Sequence, residues 1–290
     1  MRMTRRSQAR LTASACGLAA LASFMALPAR AGASPAVPPF RPALGVGPPA
    51  VEAPKNATEL CENREWERVS GGREILYDDV FGARLTRICI SDRDHGSDFV
   101  ISSSRTPHLS WQAYPNLFTG CWYTVCSAGP LPAEVSRIWA ATLSLYTRYP
   151  AGIGSDATDF WFDKANPGDQ PRHPNGLELM LWGAWHQVRT GGDIRFPVID
   201  RRHWLVESWM DHQDGVSWRY VQMRLLGHRR QPSVRGLNLL PILHWCEARG
   251  WLMPWWWAGS LHAGFEVARG SAGDRVLRYS LPVVVAPAAG

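Results

Sequence analysis

The sequence predicts an all-β domain, a sandwich or barrel of short strands with one helix, on three observations. Apolar and polar residues alternate with a period of two over many short stretches, which is strand spacing. Turn residues such as Gly71-Gly72 and Asp94-His95-Gly96 separate those stretches. One segment, about 239–249, repeats its apolar residues at helical spacing instead.

The N-terminal residues stand apart from this pattern. Arg2, Arg5, Arg6 and Arg10 precede an apolar run from Leu11 to Leu27, and Ala29-Arg30-Ala31 offers a cleavage signal. Residues 1–31 therefore read as a secretory signal peptide, too short and too rich in small residues for a membrane span. Its removal takes five arginines and no acid, so 31 basic residues become 26 against 25 acidic ones. The basic pI belongs to the export signal, and nucleic acid is excluded as the partner it would imply. Residues 32–57 hold seven prolines among Gly and Ala and read as a flexible leader without a core. Residues 58–290 suit one all-β domain.

Within that domain Glu74 to Tyr77, Arg84 to Ile90 and Asp98 to Ser102 read as short strands. Tyr114 to Cys126 reads as an aromatic, disulfide-closed loop. Ile138 to Tyr149 alternates again, with Leu143 and Leu145 on one face. In Asp159-Phe160-Trp161-Phe162-Asp163 the two Phe point to a core, while Asp159, Trp161 and Asp163 share the other face. The stretch Asn175 to Trp182 repeats that design, with Leu177, Leu179 and Leu181 inward and Glu178, Met180 and Trp182 outward. A lone carboxylate between soft and aromatic residues suits neither a solvated strand nor a dry one. It suits the floor of a cleft.

Strands His203 to Trp209 and Ser217 to Leu226 follow, then the helix, capped by Asn238, with Pro241 in its first turn and Gly250 after its last. His262 to Val267 is again a strand, with Ala263, Phe265 and Val267 inward and His262, Gly264 and Glu266 outward. Gly264 is expected to leave open space for a ligand beside Glu266. Arg275 to Val285 closes the set.

Five cysteines remain after the signal, and in an exported chain these read as disulfides first. Cys121 and Cys126 are close enough to staple one loop, Cys61 and Cys89 would tie two segments, and Cys246 is left as a buried thiol in the helix. No Cys-x-x-Cys or His pair has metal-ligand spacing, so no metal is expected. All fifteen tryptophans lie beyond the leader, and so many flat amphipathic rings favour carbohydrate stacking. Two carboxyl groups on similarly built strands, Glu178 and Glu266, match what glycosidic cleavage requires: one protonates the leaving oxygen and the other meets the developing positive charge.

From about Cys61 to the C-terminus the chain resembles the secreted bacterial endo-β-1,4-glucanases of glycoside hydrolase family 12. The resemblance rests on Tyr114-Pro115-Asn116 through Gly120-Cys121 and Cys126-Ser127, on Asp159 to Asp163, on Asn175 to Trp182 and on Ala263-Gly264-Phe265-Glu266. It implies a β-jelly roll of two curved antiparallel sheets with the helix packed outside. It also implies a retaining hydrolase with Glu178 as nucleophile, Glu266 as general acid/base, and Asp159 hydrogen-bonded to Glu178. Phe81, Trp161, Asn175, Met180 and Trp182 would bind substrate, and Cys61–Cys89 and Cys121–Cys126 would be the bridges.

The partner implied is a β-glucan polysaccharide, with no nucleic acid, no membrane once the signal is gone, no cofactor and a monomeric chain. Three places depart from the family pattern. Asp78-Asp79-Val80-Phe81-Gly82 stands for Asn-Asn-x-Trp-Gly, Asp193-Ile194-Arg195 for a Pro-Ile-Gly turn, and Val267-Ala268 for the Pro-Trp common just after the acid/base. These alter chain binding on both sides of the chemistry, so the first expectation, a cellulose-like β-1,4-glucan, has xyloglucan or mixed-linkage glucan as its alternative. A transglycosylase, or a jelly-roll protein that binds glucan without cleaving it, would share the cleft.

Overall fold

The computed structural model describes residues 59–287, apart from 62–64, 83–85, 93–95, 107–110, 124, 149–151, 170–173, 187–191, 214 and 228–232. The expected signal peptide and leader lie outside the described residues. Nineteen strands are described. The first eight are β1 (Glu59–Leu60), β2 (Trp66–Val69), β3 (Glu74–Tyr77), β4 (Arg87–Ser91), β5 (Phe99–Arg105), β6 (Asn116–Trp122), β7 (Val125–Cys126) and β8 (Ala133–Glu134). Then come β9 (Ile138–Arg148), β10 (Gly152–Asp163), β11 (Leu177–His186), β12 (Asp193–Arg195), β13 (Val198–Ile199), β14 (Arg202–Gln213), β15 (Val216–Leu225) and β16 (Ser233–Asn238). Helix α1 (Leu240–Glu247) precedes β17 (Trp257–Gly270), β18 (Arg275–Ser280) and β19 (Val283–Val285).

These strands make the β-jelly roll. Seven form one sheet in the order β1-β4-β5-β18-β9-β16, with β19 on β9. Twelve form the other, in the order β12-β14-β15-β11-β10-β17-β6-β3-β2, with short β13, β7 and β8 on β14, β6 and β17. The core lies between the sheets. Ile90, Phe99, Leu143 and Val276 from the smaller sheet meet Phe160, Leu179 and Phe265 from the larger, all in one buried cluster. Phe99 and Phe265 touch edge to face across it, with ring centroids 6.0 Å apart.

The alternation of the sequence is the cause of this layering. Along β11, Leu177, Leu179 and Leu181 enter the core, while Met180 and Trp182 join a separate cluster on the far face. One pairing departs from an antiparallel sheet: β15 runs parallel to β11. The chain reverses into β14 and again into β15, so β15 regains the direction of β11 and takes the place beside it.

Segment 114–126 is not a loop. Asn116–Trp122 is a full strand of the larger sheet, paired with β17 and β3, because Leu117 faces the core and Phe118 the opposite side. The helix is shorter than its periodicity predicts. It starts at Leu240, whose N–H is accepted by Asn238 Oδ1 at 3.2 Å, with Pro241 in the first turn where no donor is needed. Past its end Gly250 takes a φ of 67°, and Trp251 N–H reaches back to the Cys246 carbonyl. Leu239, Ile242, Leu243 and Cys246 are buried in the core cluster and His244 is exposed. No helix among the described residues is long and apolar enough to cross a membrane.

Both disulfides are present, Cys61–Cys89 and Cys121–Cys126, and Cys246 is a buried free thiol whose pKa burial pushes up to about 12. Glu59 lies close to Cys61 and Cys89, but the bridge leaves no thiolate there to hold an ion.

Candidate active site

The site is built on β10 and its two neighbours. Trp161 stands opposite Glu178 of β11, Asp159 opposite Met180, and on the other side Asp159 faces His262 and Ser155 faces Glu266 of β17. Residues opposite one another share a face of a sheet, so Asp159, Glu178 and Glu266 all rise from the side away from the core. They line a cavity of about 440 Å³. From the β2–β3–β6 side Trp66, Tyr77, Phe81 and Trp122 enclose it, and from the β15–β14 side Trp218 and Tyr220.

Trp161 forms the aromatic floor, tilted between Trp122 at 5.0 Å and Trp218 at 5.7 Å. The Cys121–Cys126 bridge joins β6 to β7, and Trp122 of β6, Val125 of β7 and Tyr123 between them stand at the cleft wall. Phe81 and Trp66 are 46% and 45% exposed at the mouth, the posture of rings that offer a face to a ligand.

Burial dominates the electrostatics. Glu178 is held well above the usual carboxylate range by desolvation first and then by the charge of Asp159, against which the Trp218 indole donates to its Oε2 at 2.6 Å. Glu266 is raised by desolvation and by the charges of Asp159 and Asp79, and no hydrogen bond among the described residues offsets this. Asp159 is raised by burial too, and is eased by the Trp161 side chain and the Phe160 backbone. His262 is driven the other way, to about 3, so it stays neutral, held by Asn116 Oδ1 at 3.1 Å and Ser260 Oγ at 2.9 Å. Two of the carboxyl groups thus sit in different settings within one aromatic cleft: Glu178 has a donor for its charge, and Glu266 has none among the described residues.

No family model and no curated protein matches the chain. Solved structures do. It is similar to endoglucanase cel12A from Rhodothermus marinus, at 27% identity over 79% of this chain and 100% of that one, with a TM-score of 0.70. A metagenome-derived glycoside hydrolase family 12 endoglucanase matches at 24% identity over 80% and 99% of the two chains, TM-score 0.71. A family 12 xyloglucanase from Bacillus licheniformis matches at 18% over 78% and 99%, TM-score 0.65. The chain has the fold of these glycoside hydrolase family 12 enzymes and is similar to them along nearly their whole length.

Against that family's pattern the structure corrects several expectations. Asp159 makes no described hydrogen bond to Glu178. The two are diagonal across β10 and β11, with Asp159 facing Met180, and Asp159 Oδ1 is buried without a partner among the described residues. Met180 and Trp182 do not line the cleft. Met180 is 2% exposed beneath Tyr220, whose hydroxyl donates to its sulfur at 3.2 Å, and Trp182 lies between Trp111 and the Arg224 guanidinium.

Asn175 is outside the lining as well. Its Oδ1 accepts the Lys164 N–H, tying the turn that enters β11. Gly264 leaves no open space, because the Pro115 carbonyl and Asn116 press against it and a Cβ there would collide with both. Its lack of a side chain lets β6 close on β17. Phe81 and Trp161 do line the cleft.

The sequence reading missed Trp66, Tyr77, Trp122, Asp211, Trp218 and Tyr220 as wall residues. The alternation of Trp218 and Tyr220 along β15 was a usable signal, but nothing local placed that strand beside β11.

Proposed function

We propose that the protein is a secreted, retaining endo-β-1,4-glucan hydrolase. The observation that carries this is the convergence of Asp159, Glu178 and Glu266 in one aromatic-walled cleft on β10, β11 and β17. The likeness to an endoglucanase and a xyloglucanase supports a glucan as substrate. Two disulfides support an oxidising compartment, as the expected signal peptide requires.

In the mechanism, Glu266 gives its proton to the leaving glycosidic oxygen as the C1–O bond breaks, and a Glu178 oxygen bonds to C1. Water then attacks C1, returns a proton to Glu266 and releases Glu178. The roles follow from the surroundings. The Trp218 N–H stabilises an ionised Glu178, as a nucleophile needs, while Glu266, desolvated and facing other carboxylates, keeps its proton. Asp159 raises both groups through its charge and so favours the protonated form of each.

The test is reducing-sugar release from carboxymethylcellulose, mixed-linkage β-glucan, xyloglucan and xylan, with Glu178→Gln alongside. Activity on a glucan that falls by about 10³-fold in the variant, with the product's anomeric configuration retained in NMR, is the expected outcome. A folded protein that binds glucan and cleaves nothing would be a binding module instead.

A further inference from the structure

The charge of the cleft is one-sided. Asp79, Asp159, Glu178, Asp211 and Glu266 line it, and among the described residues no lysine or arginine does. The imidazole in the wall, His262, is neutral and occupied at both nitrogens. Hydrolysis as proposed uses three of the five acids. The other two flank them: Asp211 is on β14, two strands beyond β11, and Asp79 follows β3, two strands beyond β17. At about 4.8 Å per strand, each stands roughly 10 Å out on its own side of the reacting centre.

Asp211 accepts the His212 N–H at 2.8 Å and the Trp209 indole at 3.4 Å, and a carboxylate has lone pairs for further donors. Asp159 Oδ1, buried in the cleft wall, has no partner among the described residues. A neutral glucan can donate hydroxyls to these groups but leaves their mutual repulsion in place. A chain of the same shape that carries cations removes it and is drawn into the cleft by its field.

The geometry points to a further activity: the cleft cleaves β-1,4-linked glucosamine chains, with Asp79 and Asp211 pairing with ammonium groups on either side of the scissile bond. A glucosamine ring keeps the flat equatorial outline of glucose, so Trp161 and Phe81 can stack on it unchanged; it differs by one ammonium at C2. The reaction is the same hydrolysis. The C1–O4 bond breaks, water supplies hydroxyl to C1, and a proton passes to O4. This inference rests on the hydrolase reading of the same cleft.

The experiment compares kcat/KM of the full chain for a fully deacetylated chitosan hexamer and for cellohexaose. The wild type is expected to cleave both. Asp79→Asn and Asp211→Asn should each lower the ratio of the amino to the neutral substrate by about tenfold. Both substrates use the same Glu178 and Glu266, so a changed proton equilibrium there cancels in the ratio. Raising salt from about 50 to 500 mM should lower the same ratio in the wild type, with no substitution needed. Cleavage of cellohexaose alone, or a ratio within twofold in both variants, overturns the inference and leaves the glucanase reading standing. Cleavage of neither hexamer overturns both.

Discussion

On the core side β10, β11 and β17 present Phe160, Leu179 and Phe265, each at most 2% exposed, and on the other side Asp159, Glu178 and Glu266. The apolar side contributes about 1.5–3 kcal/mol per buried side chain. The acidic side costs stability, because desolvated carboxyls must either hold a proton or stay charged in a poor solvent. A single strand therefore stabilises the fold with one parity of residue and carries the groups of the proposed chemistry with the other.

Substitutions on the two sides should separate stability from activity. Glu178→Gln is expected to cut turnover by about 10³-fold while leaving the melting temperature equal or higher, measured by assay and calorimetry on one sample. A large drop in melting temperature would break the comparison. Leu179→Ala, one residue along and on the core side, should lose about 2–5 kcal/mol in denaturant unfolding, with the surviving folded fraction still active.

A third test uses pH. Asp163, at the end of β10 on the acidic side, is raised by burial from 3.8 to about 7. The folded state then binds a proton that the unfolded state releases, so stability falls as pH rises from about 4 through 7. Asp163→Asn should flatten that slope. His262 acts with the opposite sign: lowered to about 3, it costs stability as pH falls below 6.5. Asp156 and Asp274, raised to about 6 and about 8, add to the fall, so unfolding free energy should decline from about pH 4 to pH 8, and a monotonic rise over that range would refute the burial argument. The smallest effect belongs to neither side. Trp255, 64% exposed beyond the helix, should change stability by no more than about 0.5 kcal/mol when replaced by Ala.

Parity made much of this legible in the sequence. A period of two assigns the residues of β10, β11 and β17 to a side except where bulges interrupt the pairing, and the sides of Phe160, Leu179, Glu178 and Glu266 follow from it. What parity cannot supply is the neighbouring strand. Trp218 serves Glu178 because β15 runs alongside β11, forty residues away in sequence, and Asp79 enters the cleft only because β3 lies on β6. Gly264 shows the same limit: its lack of a Cβ was visible, but not that the Pro115 backbone fills the gap. Met180 and Trp182 have the parity of cleft residues, yet Tyr220, Trp111 and Arg224 cover them.

The position of β17 has a consequence for how the protein comes into being. It lies between β10 and β6, two strands synthesised long before it, and it brings Glu266 with it. Until it arrives the two have no shared edge, so the growing chain must keep a slot open in its main sheet and depend on contacts far apart in sequence. Every nascent fragment short of β17 lacks both Glu266, the proposed proton donor, and the middle of its sheet, so on that proposal catalytic competence comes with the closing of the fold itself.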